Sequence, residues 1–315
     1  MRDLSIVFMG TPGFAVGILK KLLEEGKNVV GVVTAPDKPA GRGRQHRASA
    51  VKEYALSKNV KILQPTNLKD EHFLNDLKAL NANLQIVVAF RMLPKVVWEM
   101  PEYGTFNLHA SLLPEYRGAA PINWAIINKE SVTGVTTFFI DEKIDTGNII
   151  QSKEIEIAKD ETFGTLHDKL MKLGSSLVID TVTLIEKGDL KAHVQPENSG
   201  CKEAPKLNSE NTRIDWSQNA ETIDAFIRGL SPYPGSWTAL QNNGEELKVK
   251  IFRSRYENEE HNAEIGLLIV DKKTVKVAVK NGFIHIEEIQ LPGKRKMGIS
   301  DLLNGYTFRS GSKMS

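Results

Sequence analysis

Through its first half this chain alternates short apolar runs with longer stretches of helical spacing, and that alternation constrains its fold more than any other feature. Residues 5 to 9 run apolar into Gly10-Thr11-Pro12-Gly13. Phe14, Ala15, Ile18, Leu19, Leu22 and Leu23 then recur at helical spacing until Gly26 stops them, and Val29 to Thr34 is apolar again. Strand, helix, strand in that order implies parallel pairing through a right-handed crossover. The pattern goes on with a strand over 60–63, a helix over 70–80, a continuously apolar strand over 84–90 and a short helix over 94–100. A strand over 104–109, a helix over 119–128 with Pro121 in its first turn, strands over 134–140 and 148–157, and a long helix over 162–186 complete it. The expectation is an α/β domain over 1–188 with a doubly wound, mostly parallel sheet, a Rossmann variant.

After Gly188 the character changes. Pro196, Gly200, Pro205 and many polar residues mark 189–206 as a linker. Beyond it one helix over 219–229 precedes strands over 247–255, 265–270, 274–280 and 283–290, so a small β-barrel of the OB kind is expected over 207–315.

Charge and cysteine content bound the function. Forty-one basic against thirty-nine acidic side chains leave a net charge of +2, so any site for a polyanion must be a local patch. The single cysteine, Cys201, excludes an internal disulfide and a cysteine-rich zinc site, and fits a reducing compartment. No His/Cys/Asp/Glu ligand cluster is evident, and no metal is expected. The first ten residues read as a strand rather than a signal peptide, and no apolar run reaches membrane-spanning length; a cytoplasmic monomer is expected.

Two places could carry chemistry. Gly10-Thr11-Pro12-Gly13 follows the first strand, but Ala15 stands where a dinucleotide fingerprint needs its third glycine, which disfavours a nicotinamide enzyme. The turn is either a tight strand-to-helix connection or part of the wall of a cleft at the carboxyl edge of the sheet. Phe106-Asn107-Leu108-His109 is the stronger place. Alternation puts Asn107 and His109 on one strand face, at the sheet edge where α/β proteins bind ligands. An amide and an imidazole can together stabilise an oxyanion on a carbonyl under attack. Alone, such a pair is more often structural. A carboxylate from Ile140-Asp141-Glu142-Lys143-Ile144-Asp145-Thr146-Gly147 could orient the imidazole, although Asp145 also suits plain turn chemistry.

The Asn-x-His, the Ser111-Leu112-Leu113-Pro114 that follows, Arg117-Gly118-Ala119-Ala120-Pro121-Ile122 and Asp145-Thr146-Gly147 together resemble the folate-dependent formyltransferases. The resemblance runs nearly end to end, from Phe8-Met9-Gly10-Thr11-Pro12 through Ile214-Asp215-Trp216-Ser217 and Pro232-Tyr233-Pro234-Gly235-Ser236-Trp237 to Leu291-Pro292-Gly293-Lys294-Arg295-Lys296-Met297. The Pro39-Ala40-Gly41-Arg42-Gly43 loop and the C-terminal half narrow it to the branch acting on methionyl initiator tRNA. The resemblance implies Asn107, His109 and Asp145 as the catalytic residues and 10-formyltetrahydrofolate as co-substrate. It implies a folate site lined by Ser111, Leu112, Leu113 and Pro114, with Phe90, Arg91 and Met92 in the neighbouring loop. The sequence departs from the family pattern at Phe90-Arg91, where a small or Tyr-Gly pair is usual, and at Lys143, where glycine is common.

For tRNA, the loop from Lys38 to Arg47 carries Lys38, Arg42, Arg44 and Arg47 with no acidic residue, and is expected to act as a phosphate-binding finger led by Arg42. Lys294-Arg295-Lys296, with Lys248, Lys250, Lys276 and Lys280 on alternating strand positions, is either a solvated face or a second backbone-binding surface. An amino-sugar nucleotide formyltransferase would share the three catalytic residues but lack the basic loop. A non-catalytic RNA-binding module would leave Asn107 and His109 far from Asp145, and a formyl-folate hydrolase would place water where the amine stands.

Overall fold

A computed structural model describes residues 1–40, 45–196 and 200–315, with no side-chain description of Pro39, Ala40, Gln45 and His46. In chain order the elements begin with β1 (Ile6–Gly10), α1 (Gly13–Glu24), β2 (Val29–Val33) and the hairpin strands β3 (Lys38–Ala40) and β4 (Gln45–Arg47). Next come α2 (Ala50–Ser57), β5 (Ile62–Leu63), α3 (Glu71–Lys78), β6 (Leu84–Val88), α4 (Lys95–Trp98), β7 (Thr105–His109) and β8 (Arg117–Gly118). The first half closes with α5 (Pro121–Ile127), β9 (Val132–Phe139), β10 (Ile149–Glu156) and α6 (Phe163–Lys187). Then follow β11 (Glu203–Ala204), α7 (Ala220–Gly229), β12 (Ser236–Asn242), β13 (Glu245–Asn258), β14 (Leu268–Val270), β15 (Val275–Val279) and β16 (Gly282–Gln290). The chain ends with β17 (Met297–Gly298), α8 (Ile299–Leu303) and β18 (Lys313–Met314). No helix among the described residues is long and apolar enough to cross a membrane.

The chain forms two compact units, neither of them continuous in sequence. The first takes in 1–118, 133–155 and 167–203. Its seven-stranded sheet runs β10-β9-β7-β6-β1-β2-β5. Strands β5, β2, β1, β6 and β7 are parallel and β9 runs antiparallel to β7, so the sheet is doubly wound and mostly parallel. The strand order turns back at β1, whose neighbours are β2 and β6, which places a ligand crevice beyond the carboxyl ends of β1 and β6. All five residues of β1 and of β6 are buried, as strands covered on both faces require. One face packs Val7, Met9, Val33 and Val87 against Phe73, Leu77, Leu93 and Val97. On the other, α6 presses Gly174 so close to β7 that a Cβ there would lie 2.7 Å from Leu108 Cδ2.

The second unit takes in 119–132, 156–166 and 204–315. Its sheet runs β14-β15-β16-β13-β12-β18, with β17 on β16, and it closes nearly into a barrel. The Met314 N–H donates to Gly266 O (2.8 Å) and the Leu268 N–H to Ser312 O (2.9 Å), joining the two ends of the sheet. The barrel is filled by Leu240, Val249, Ile251, Val277, Ile284 and Ile286 and is covered by Ile223 and Ile227 of α7 and by Trp216. In the same unit the Asn123 amide of α5 donates to Gly229 O at the end of α7 (2.8 Å).

Candidate active site

Strand alternation decides which way the polar residues of β7 face. Phe106 and Leu108 are buried, with Leu108 against α6, so Asn107 and His109 look to the opposite face. Asn107 sits in register with Val87 of β6 and Phe138 of β9, and His109 with Thr136. The Asn107 side chain is half-buried and has no hydrogen-bond partner among the described residues. His109 is 6% exposed, and its two nitrogens face different oxygens. Nε2 lies 2.8 Å from Tyr116 O, an acceptor only, so Nε2 carries the hydrogen. Nδ1 lies 3.7 Å from Asp145 Oδ2, beyond hydrogen-bond reach but at ion-pair distance. The same Oδ2 accepts the Gly118 N–H at 3.0 Å. The fold thus joins His109 to Asp145, while Asn107 stands two residues away on the same strand face.

The loop that presents Asp145 is built by Asp141. Asp141 Oδ1 accepts from the Lys143 N–H (2.9 Å) and the Thr146 hydroxyl (2.8 Å), folding Asp141–Thr146 into one turn. Asp145 itself has φ 55°, a left-handed conformation that aspartate adopts more readily than most residues. Gly147 admits no other residue, because a Cβ would fall 1.7 Å from Phe139 O. The Tyr116 carbonyl, the Gly118 N–H and Asp141 were not among the residues singled out in the sequence. The first two act through backbone, which leaves no side-chain signature, whereas Asp141 could have been found as an Asx turn two residues before Lys143.

The residues expected to line a folate site fall into two loops of the same unit. Ser111 is fully buried and donates its hydroxyl to Glu115 O (2.6 Å), so its side chain closes the loop on itself. The Leu113 N–H donates to Thr136 Oγ1, which in turn donates to Ser111 O, tying the loop to β9; Leu113–Pro114 is cis. Leu112 lies over Gly134, where a Cβ would meet its Cδ2 at 2.5 Å. The second loop leaves β6 through Ala89 at φ 47°. Arg91 donates to Pro65 O and to Thr66 O (2.8 Å), Phe90 is half-buried and Met92 is 66% exposed. Arg91 therefore braces the turn after β5 instead of pointing a free guanidinium outward. Beside Glu115, at the end of the first loop, burial first and Glu115 second push the Cys201 thiol above its ordinary value, which makes it a poor nucleophile.

Of the basic residues, Lys38 is exposed at the base of the β3–β4 hairpin, and Arg42 and Arg44 lie outside the described residues. In the barrel unit Lys294 and Arg295 are exposed. Lys296 pairs with Glu288 (2.9 Å), Lys276 with Glu257 and Glu259 (3.8 and 3.6 Å), and Lys248 lies 3.8 Å above the Trp237 ring.

Comparison with known proteins shows the family. A family profile described as formyl transferase matches residues 4–182, and one described as formyl transferase, C-terminal domain, matches 206–307. The chain belongs to the formyl transferase family. This formyl transferase is 60% identical over 314 residues to the methionyl-tRNA formyltransferase of Flavobacterium johnsoniae, with 100% of both chains covered. It is 51% identical over 319 residues to that of Bacteroides thetaiotaomicron, covering 100% of this chain and 99% of the other. Among solved structures it resembles HypX from Aquifex aeolicus in complex with tetrahydrofolic acid at a TM-score of 0.66 and 19% identity, over 96% of this chain and 47% of that one. It also resembles WlaRD, a sugar 3N-formyl transferase, at a TM-score of 0.65 and 22% identity, over 94% of this formyl transferase and all of that chain.

Proposed function

We propose that this formyl transferase moves the formyl group of 10-formyltetrahydrofolate onto the amino group of methionine carried by initiator tRNA, with Asn107, His109 and Asp145 as its catalytic residues. The acceptor rests on one observation: the likeness to the methionyl-tRNA formyltransferase of Flavobacterium johnsoniae, 60% identical over 314 residues, spans both halves of the chain, the barrel included. The folate side rests on the site. The unpartnered Asn107 amide, the apolar Leu112-Leu113-Pro114 loop and the Phe90–Met92 loop gather where a doubly wound sheet takes its ligands.

In the reaction the methionine nitrogen bonds to the formyl carbon, the bond from that carbon to the folate nitrogen breaks, and the proton shed by the amine ends on the folate nitrogen. Charge builds on the formyl oxygen as the amine adds. Asn107 donates its free amide hydrogen to that oxygen. His109 spends its Nε2–H on the Tyr116 carbonyl, so in its protonated form the hydrogen on Nδ1, which makes no hydrogen bond to Asp145, is the one left to donate to that oxygen. Asp145, with Oδ2 engaged by Gly118 and facing His109, compensates the charge of that ring and carries the amine proton on its other oxygen. The Lys38–Arg47 finger and the Lys294–Lys296 turn hold tRNA phosphates, the turn chiefly through its exposed Lys294 and Arg295 because Lys296 is paired with Glu288, and the enzyme works as a monomer in the cytoplasm.

The test is an acceptor competition. With 10-formyltetrahydrofolate supplied, formyl transfer goes to methionyl initiator tRNA and not to amino-sugar nucleotides. Transfer to an amino sugar at an equal rate, or formate release without an acceptor, would overturn this reading.

A further inference from the structure

We infer that Gln195, in the segment between the two family-matched regions, is a positioning residue for Asp145; the inference rests on the catalytic role proposed above for Asp145. Gln195 is 8% exposed although its neighbour Val194 is 82% exposed, so this one side chain turns inward from an open segment. Its amide donates to two carbonyls of the catalytic loop, Asp145 O at 3.0 Å and Gly147 O at 2.7 Å. Its own carbonyl oxygen accepts from Arg117 Nε and Nη2, at 3.2 and 2.5 Å. All four polar positions of the contact are therefore used.

The two carbonyls flank Thr146, and Asp145 holds a left-handed φ of 55°. A backbone in that conformation persists only where its surroundings fix it. Asp141 fixes the front of the loop and Phe139 O leaves no room behind Gly147, but neither touches the Asp145 peptide itself. Gln195 does. On the other side Arg117, gripped by the same glutamine, directly precedes Gly118, whose N–H holds Asp145 Oδ2. One side chain thus ties together the backbone of Asp145 and the strand that grips its carboxylate. A shift of a fraction of an ångström there changes the separation of Oδ2 from His109 Nδ1.

Two variants separate positioning from mere packing. Gln195→Met keeps the volume and removes every hydrogen bond. Gln195→Glu keeps an acceptor for Arg117 but sets a carboxylate against two carbonyls. Both should lower kcat for formyl transfer between about 10- and 100-fold, with KM for folate and for methionyl-tRNA within about threefold of the parent. Asp145→Asn is measured beside them. If Asp145→Asn is inactive while both Gln195 variants turn over within about twofold of the parent, the inference falls and the catalytic reading stands. If Asp145→Asn keeps the parent rate, the catalytic reading itself falls and takes the inference with it. Should Gln195→Met not fold, Gln195→Glu carries the comparison. Failure of both to melt cooperatively, or a rise in both KM values matching the loss of kcat, would make Gln195 a structural residue and overturn the inference.

Discussion

The Asn107 amide lies between two residues that fill the opposite face of β7, so the strand fixes it as firmly as the core is packed, yet its own hydrogens are unspent. An unspent donor held on a rigid element costs little to realign when charge appears in front of it. Asn107→Ala should therefore lower kcat about 100- to 1,000-fold, near 3 kcal/mol of transition-state stabilisation, with folate binding and melting temperature little changed. Steady-state kinetics with a binding titration checks it, and a change confined to KM would be the wrong outcome. Asp145→Asn keeps the shape of the loop and an oxygen for Gly118 but loses the charge opposite His109. Its turnover should fall by at least about 100-fold while folate still binds; turnover near the parent rate counts against the catalytic role.

At the scale of elements, β9 supports the site from below. Gly134 in β9 faces Lys153 O of β10 and the Leu112 side chain, and a Cβ there would stand 2.2 Å from the first and 2.5 Å from the second. A backbone carbonyl in a sheet cannot step aside, so Gly134→Ala must push the strands apart or lift Leu112. It should cost about 1–3 kcal/mol of stability and raise KM for folate, readable by thermal melt and kinetics together. A melt and a KM both equal to the parent's would refute that account. The period-2 and helical patterns made the parallel sheet and its helices legible because their residues are apolar on both faces or along one stripe. They did not reveal β12, whose inward positions include Ser236 and Thr238, both fully buried. Each is satisfied by specific bonds, Ser236 to Ile251 O and Thr238 to Trp216 Nε1 and Ser315 O, so a polar letter hides a core position. Helix α2 escaped for a different reason: only Val51 and Ala55 of its eight residues are buried, too few to show a stripe. In the site, Asn107 and His109 could be singled out as a candidate pair from residue type and strand alternation, whereas Asp145 was set apart from plain turn chemistry only by the resemblance to the formyltransferases. Gln195 could not, since one glutamine in a polar, proline-containing stretch looks like any surface residue until the loop it grips is seen.

For the whole molecule the decisive quantity is where uncompensated charge sits. A net charge of +2 over 315 residues gives no long-range pull on tRNA, so binding must come from patches within a Debye length of phosphate, about 8 Å at physiological salt. Several barrel lysines are already spent: Lys276 and Lys296 on glutamates, Lys248 on Trp237, and Lys250 on Pro234 O at 2.7 Å. A cation paired with a carboxylate, as Lys276 and Lys296 are, releases fewer counterions when phosphate arrives, because part of its charge is already balanced. The stretch from Lys38 to Arg47 holds four basic residues and no acidic one in its sequence. Arg42→Ala should then raise KM for methionyl-tRNA roughly tenfold, the worth of one charge-assisted hydrogen bond of about 1.5 kcal/mol. The slope of log KM against log salt should drop by about one phosphate contact. Lys276→Ala should leave both nearly unchanged, and neither substitution should move KM for folate. Equal salt slopes for the parent and Arg42→Ala would shift the electrostatic grip from the finger to the barrel.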